Sequence, residues 1–245
     1  MDKLYRNEFK ETKSLVLGFP GFAHSSENTR IDNHLKVLSS YGIVGVRLNY
    51  PGILLKEDGK LIECNFNLAD YLDHVQRTFN AFSQGMEKIG IIDSSAGSCI
   101  SGHWLAKNPA FNPACKFSVS PLSGWQNYGS PEIRQAVEKS GKDIDISSKE
   151  DKSNGIRRTI KHDSLEEMMG TNAIGAIRSS QRQTYPVFTC LGVYDDKVSV
   201  SSMREYHHTT ALSGESFLLE LQEPHEIPES RYLEAMVSFF TKHLL

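Results

Sequence analysis

Short runs of branched apolar residues alternate with segments of helical period along most of the chain, and this alternation limits the folds open to it. Six apolar runs read as strands, at 14–19, 43–50, 88–93, 115–122, 186–196 and 216–226. Strands that alternate with helices of this length form right-handed crossovers. Nearly continuous Val, Ile and Leu runs are typical of strands covered on both faces. The sequence therefore predicts an α/β fold with a mostly parallel central sheet of about six strands flanked by helices.

The pattern changes between residues 123 and 185, where the chain becomes polar. This segment contains "SSKEDKSNG" with helical pieces on either side, "PEIRQAVEKSG" and "SLEEMMG". It is too long for a loop within a compact domain. We therefore expect an inserted helical cap at 123–185, and a core built from 1–122 and 186–245.

Charge and composition exclude several classes of protein. The net charge is −3, whereas a nucleic-acid-binding protein presents a basic face. No apolar stretch approaches the roughly 18 residues of a membrane span, and the charged N-terminal segment does not resemble a signal peptide. Four cysteines, without any C-x-x-C pair, favour buried free thiols over a metal site or a disulfide. We expect a soluble, cytoplasmic protein and leave its oligomeric state open.

Polar clusters follow four of the predicted strands: "PGFAHSSEN", "DSSAGS", "YDDK" and "EPHE". The carboxyl ends of parallel strands meet at one edge of a sheet, where ligands bind in open α/β folds. The four clusters therefore bring serine, aspartate and histidine side chains to one edge. This combination indicates a nucleophile, an acid and a base.

Ser95 is the predicted nucleophile. The stretch "DSSAG" differs by one residue from G-x-S-x-G, the sharp strand-to-helix turn that exposes a nucleophilic serine. With Ser95 at the centre, Gly97 occupies the second small position and Asp93 replaces the first. Ser94 or Ser98 at the centre would leave both flanking positions without glycine. For Asp93 we expect a structural role, as a helix cap or an ion-pair partner, rather than a catalytic one.

His225 and Asp195 are the predicted partners of Ser95. A serine hydroxyl needs an adjacent base at neutral pH, and His225 lies in the loop after the last predicted strand. Asp195 also follows a strand and can hold the imidazole in the required tautomer. The chain order is then Ser95, Asp195, His225.

This order resembles the α/β-hydrolase superfamily. The segments "SLVLGFPGF", "VRLNYPG" and "PVFTCLGVYDDKVSV" are similar to its oxyanion-loop strand, its following strand and its acid-bearing segment. The resemblance implies that Asp195, not Asp196, is the acid, and that the backbone N–H groups of Phe22 and Ala96 form the oxyanion hole. The chain departs from the family pattern at Asp93 and at Pro20, where a histidine is usual.

The resemblance implies hydrolysis of an ester with a small or medium acyl group through an acyl-enzyme, without metal or organic cofactor. A thioesterase or acyltransferase could use the same three residues, and peptide cleavage is a third option. Ser95 argues against a haloalkane dehalogenase, which needs aspartate there. A non-catalytic binding protein on this fold is the remaining alternative.

Four sets of residues are candidates for substrate contact. His24 follows the oxyanion loop, and Trp125 and Tyr128 follow the fourth strand, where they could line an acyl pocket or pack under the cap. Met168 and Met169 fit the core of the cap better than a substrate site. A short basic cluster in the cap would favour a carrier with phosphates, although it is too weak to decide; its members are Arg157, Arg158 and Lys161.

Overall fold

A computed structural model describes residues 2–7, 12–21, 30–55, 61–128, 143–145, 153, 155, 157–180 and 184–245. Eleven strands lie in this part of the chain. They are β1 (Lys3–Tyr5), β2 (Ser14–Phe19), β3 (Val44–Arg47), β4 (Ile53–Leu55), β5 (Leu61–Cys64), β6 (Lys88–Ser94), β7 (Cys115–Val119), β8 (Ile144–Asp145), β9 (Arg157–Ile160), β10 (Val187–Gly192) and β11 (Phe217–Leu221).

Seven of these strands form the central sheet, in the order β1-β3-β2-β6-β7-β10-β11. Every neighbouring pair is parallel except β1 with β3. All six strands expected from the sequence belong to this sheet, so the predicted fold class is confirmed. In a parallel arrangement, the loops after β6, β10 and β11 leave the sheet at the same edge.

The seventh strand, β1, was not expected, because three residues in a charged segment give no apolar run. It lies at the edge of the sheet and pairs with β3, and hydrogen bonds hold Asp2 beside it. The Asp2 carboxylate accepts hydrogen bonds from the Asn49 N–H at 2.8 Å and from the Thr78 hydroxyl at 2.5 Å. Polar contacts to the neighbouring elements therefore fix a strand that local propensity does not predict.

Helices cover both faces of the sheet. They are α1 (Arg30–Ser40), α2 (Leu68–Phe82), α3 (Ala96–Lys107), α4 (His162–Gly170), α5 (Ala173–Ser179), α6 (Val200–Thr210) and α7 (Leu233–Leu244). Successive residues of β2 point to opposite faces: Leu15 and Leu17 join the core under α2 and α3, and Val16 joins the core under α1 and α7. This explains the continuous apolar runs. Within the described residues, no helix is long and apolar enough to cross a membrane.

A second, smaller sheet has four strands in the order β4-β5-β9-β8. Its strands β8 and β9 come from the expected helical insert, which also contributes helices α4 and α5. The segment "PEIRQAVEKSG" lies outside the described residues. In its described part the insert therefore contains both strands and helices, whereas the sequence predicted helices alone. Strand β9 ("RRTI") was not predicted because it is too short and too charged to show strand periodicity. The boundaries at 123 and 185 stay a prediction.

His34 on α1 is a buried histidine, and only one of its ring nitrogens has a hydrogen-bond partner in the part of the chain that the structure describes. Its Nε2 lies 3.0 Å from the Tyr232 hydroxyl, and the two rings meet edge to face. Its Nδ1 has no hydrogen-bond partner among the described residues. Burial, together with the charge of Arg30, lowers the pKa of His34 to about 3. The imidazole is therefore neutral in the folded protein at neutral pH.

We expect the free energy of unfolding to fall as the pH drops below 6.5, because the unfolded chain then protonates His34 and the folded chain does not. One such group contributes a slope of at most about 1.4 kcal/mol per pH unit. Urea unfolding of the wild type and of His34→Phe measures the change in the free energy of unfolding per pH unit. The range runs from pH 6.5 to about 4.5, which lies above the ordinary pKa values of the carboxyl groups. The variant should show the shallower slope; equal slopes would contradict the prediction. His207 supplies part of the remaining slope. Its burial and the neighbouring His208 lower the pKa of His207 to about 4.

Candidate active site

Ser95 forms the sharp turn between β6 and α3. Its backbone has φ 50° and ψ −123°, a left-handed conformation that costs a non-glycine residue about 1–3 kcal/mol. Two hydrogen bonds from one neighbouring segment hold it there. The Ser95 N–H donates to the Val119 carbonyl at 3.0 Å, and the Ser95 carbonyl accepts from the Leu122 N–H at 3.1 Å. The serine is therefore fixed at the strand end and remains partly exposed.

Residue 97 has to be glycine because another segment of the backbone passes close to this turn. A Cβ atom at this position would overlap the backbone carbonyl of Phe19 at the end of β2. A second close approach occurs at Gly192, where a Cβ atom would overlap the carbonyl oxygens of Glu223 and Pro224. These two glycines let the loops after β2, β6, β10 and β11 converge. The sequence pattern anticipates the first of them.

The three residues predicted as nucleophile, base and acid lie within hydrogen-bond distance of one another. His225 Nε2 is 3.2 Å from Ser95 Oγ, and His225 Nδ1 is 2.7 Å from Asp195 Oδ2. The other carboxylate oxygen, Asp195 Oδ1, accepts the N–H groups of Lys197 at 2.9 Å and Val198 at 2.8 Å. The imidazole therefore has a fixed orientation, with one nitrogen toward the hydroxyl and the other toward the acid.

The acid and the base are buried, and the nucleophile is partly exposed. The Asp195 side chain is fully buried, and only 6% of the His225 side chain is exposed. A buried carboxylate beside an imidazole stabilises the imidazolium that forms when the ring accepts a proton. The arrangement can take a proton from Ser95 and return it to a leaving group.

Asp93 does not face this chain of hydrogen bonds but forms a buried ion pair beneath α3. Its carboxylate lies 2.8 Å from Lys116 Nζ on β7, and both side chains are fully buried. It also accepts hydrogen bonds from the hydroxyls of Ser98 and Ser101, each at 2.6 Å. Lys116 donates further to the Tyr206 hydroxyl at 2.7 Å. The expected pairing role of Asp93 is thus found, in a network that joins β6, β7, α3 and α6.

The remaining predicted site residues are placed less completely. Ala96 is the first residue of α3, whose first-turn N–H groups have no acceptor within the helix. The oxyanion partner Phe22 and the candidate pocket residue His24 lie outside the described residues. Trp125 is buried and stacks obliquely on Tyr128, their ring centroids 5.6 Å apart. Tyr128 bridges to Val198, just after the acid, so this pair borders the acid loop and packs in the core.

The basic cluster of the cap is neutralised where its side chains are described. Arg157 Nε lies 3.7 Å from Asp145, and Lys161 Nζ lies 3.3 Å from Glu63 and 2.9 Å from Asp143. The side chain of Arg158 lies outside the described residues. These two cations are therefore paired with carboxylates and do not form a free basic groove.

The described residues contain no group of three or more His, Cys, Asp or Glu side chains placed to hold a metal ion. The thiols of Cys99, Cys115 and Cys190 are free and buried. Burial raises the pKa of Cys99 to about 11 and that of Cys190 to about 12, so neither is a thiolate at neutral pH.

Sequence reasoning missed two residues near the site. Lys116 stands in the apolar run "CKFSV", and a lysine within a doubly covered strand is itself a signal of a buried partner. Ser120, directly after this strand, has φ 45° and donates its hydroxyl to the His225 carbonyl at 2.9 Å. Nothing in the sequence marks Ser120, because its role depends on two distant loops.

Comparison with known proteins identifies the fold. No family model and no curated protein matches the sequence. Among solved structures, the chain resembles Est1E from Butyrivibrio proteoclasticus with ferulic acid bound, at 13% identity and TM-score 0.72, covering 99% of this chain and 94% of that one. It resembles the monoacylglycerol lipase of Paleococcus ferrophilus at 15% identity and TM-score 0.71, covering 99% and 98%. An esterase domain from a Rhodothermus marinus protein matches at 15% identity and TM-score 0.65, covering 100% and 93%.

Proposed function

We propose that this chain, which has the α/β-hydrolase fold, is a serine hydrolase that cleaves esters of small or medium acyl groups through an acyl-enzyme on Ser95. The continuous hydrogen bonding from Ser95 Oγ through His225 to Asp195 carries this proposal. Its substrate is a small molecule. The cytoplasmic location expected from the sequence is part of the same proposal.

Ser95 attacks the ester carbonyl while His225 Nε2 accepts the hydroxyl proton. The negative oxygen that develops is held by the N–H groups of Ala96 and Phe22, and each such donor contributes about 10²–10³-fold to the rate. His225 then gives its proton to the departing alcohol. In the second half, His225 activates a water molecule that releases the acid from Ser95. Asp195 keeps the ring oriented and stabilises its charge throughout. No step needs a metal or an organic cofactor.

Oxygen esters are favoured over thioesters by two observations. The structural neighbours include proteins named as a monoacylglycerol lipase and an esterase domain. Two of the three cap cations that would suit a phosphate-bearing carrier, Arg157 and Lys161, are paired with carboxylates. Thioester hydrolysis and acyl transfer use the same three groups and are the alternatives that the experiment must separate.

The proposal is tested with p-nitrophenyl acetate, butyrate, octanoate and palmitate beside thioesters of the same four acids. We expect the highest kcat/KM with an oxygen ester of an acid shorter than palmitate, and no turnover by His225→Ala. Higher kcat/KM for the matched thioester would replace the ester assignment with the thioesterase alternative. Product formation that depends on an added alcohol or thiol would indicate an acyltransferase.

A further inference from the structure

Ser95 is one of two non-glycine residues with positive φ among those the structure describes, and the other is Ser120, at φ 45°. Ser120 is fully buried and directly follows β7, the strand between β6 and β10 in the sheet. It also precedes Pro121, and a residue before proline is restricted to extended conformations. Such a backbone persists only where the surroundings over-determine it, and it concentrates at functional sites.

The segment from Val119 to Leu122 holds the nucleophile on both sides. The Val119 carbonyl accepts the Ser95 N–H at 3.0 Å, and the Leu122 N–H donates to the Ser95 carbonyl at 3.1 Å. The two groups lie three residues apart, and the left-handed bend at Ser120 lies between them. The strained backbone at Ser120 is thus part of the segment that fixes the strained backbone at Ser95.

The same residue also contacts the segments that carry the acid and the base. The Ser120 N–H donates to the Cys190 carbonyl at 2.8 Å, on the strand that leads to Asp195. The Ser120 hydroxyl donates to the backbone carbonyl of His225 at 2.9 Å. The segment 119–122 therefore joins the segments of all three predicted catalytic groups, and the Ser120 side chain makes its bond to the segment of the histidine.

We infer that Ser120 is a positioning residue that sets the distance between the His225 imidazole and the Ser95 hydroxyl. This inference rests on the proposed function for its kinetic consequence. Without the hydroxyl, the buried His225 carbonyl loses its donor and the loop that carries the ring can shift away from Ser95. The 3.2 Å separation between Nε2 and Oγ then lengthens, and proton transfer from Ser95 slows.

Two substitutions distinguish the effect of the Ser120 hydroxyl from the effect of its strained backbone. Ser120→Ala removes the hydroxyl and keeps the strained left-handed residue, whereas Ser120→Gly removes the hydroxyl and relieves the strain. The matched control is Ser118→Ala, two residues earlier on β7, because the Ser118 hydroxyl is also buried but has no hydrogen-bond partner among the described residues.

We expect kcat for ester hydrolysis and the rate of phosphonylation of Ser95 to fall about tenfold in both Ser120 variants, with KM unchanged. The glycine variant should melt above the alanine variant, and Ser118→Ala should keep the wild-type rates. A folded Ser120→Ala with wild-type kcat would overturn the inference, and so would an equal loss in Ser118→Ala. A purely structural role would change the melting temperature alone.

A second measurement does not depend on activity. With the proton on His225 Nδ1, in the hydrogen bond to Asp195, we expect a separate low-field signal in the ¹H NMR spectrum. We expect this signal to move in Ser120→Ala and Ser120→Gly and to stay in place in Ser118→Ala. If the wild type proves unreactive but the signal moves, the positioning role holds and the proposed function fails. A signal unchanged in both Ser120 variants overturns the positioning role.

Discussion

Ser95→Ala is expected to lower kcat for ester hydrolysis on the order of 10⁶-fold while leaving the melting temperature close to that of the wild type. Removal of a nucleophile that acts together with its base has a loss of this size. The residual rate reflects substrate binding and the oxyanion donors alone. His225→Ala should cause a loss of similar size, because the two groups act as one unit and their effects are not additive.

The neighbouring serine provides the matched control for this prediction. Ser94 precedes Ser95 in "DSSAG", is buried, and takes no part in the hydrogen bonds to His225 or Asp195. We expect Ser94→Ala to keep turnover within an order of magnitude of the wild type. Steady-state kinetics with p-nitrophenyl butyrate compares the wild type, Ser95→Ala and Ser94→Ala. Turnover retained in Ser95→Ala, or lost only in Ser94→Ala, would contradict the assignment of the nucleophile.

The largest effect on stability is expected from the buried ion pair beneath the nucleophile helix. Lys116→Met leaves the Asp93 carboxylate buried with two serine hydroxyls and no cation. Removing one partner of a buried ion pair costs about 3–5 kcal/mol, because the other charge is left uncompensated. For a chain of this length, that loss lowers the melting temperature by about 10 °C. Urea unfolding and calorimetry measure the two quantities.

A double variant tests whether the pairing of charges is the cause. Asp93→Asn with Lys116→Met removes both charges and keeps an amide that can contact Ser98 and Ser101. We expect the double variant to be more stable than either single variant, since neither charge is then stranded. Lys13→Met is the control, because its pair with Glu87 is exposed to solvent and should leave the unfolding midpoint unchanged. A double variant as unstable as the sum of the single ones would contradict the explanation.

The fold could be predicted from the sequence because its signal is local. Five of the six core strands are buried over most of their length, so that they appear as apolar runs bounded by turn residues, and the sixth, β11, is a partly exposed edge strand that keeps an apolar run. Strand β1 gives no such signal, because contacts from Asp2 to other elements hold its three residues. The strands of the insert were missed for a related reason: they are short and charged, and pairing between β8 and β9 and of β9 with β5 stabilises them.

The candidate site was predictable only as far as chain order and motif spacing reach. Ser95, Asp195 and His225 could be proposed because each follows a strand of a parallel sheet, and such strand ends meet. The partner of Asp93 could not be predicted from the sequence. Lys116 is 23 residues away on a neighbouring strand, and the pairing depends on the sheet register. The role of Ser120 could not be predicted either, because its hydrogen-bond partners belong to two distant segments of the chain. Its contact with the His225 carbonyl has a separation of 105 residues, which no local pattern encodes.

Labelling with a fluorophosphonate reports whether His225 activates Ser95, because the reagent reacts with an activated serine. The wild type, Ser95→Ala and His225→Ala are each incubated with the reagent, weighed intact by mass spectrometry and digested for peptide mapping. We expect one phosphonyl group per wild-type chain, on the peptide that contains Ser95, and none on either variant. A folded wild type that takes up no label, or takes it up at another residue, would rule out Ser95 as the activated nucleophile and favour a binding protein on this fold.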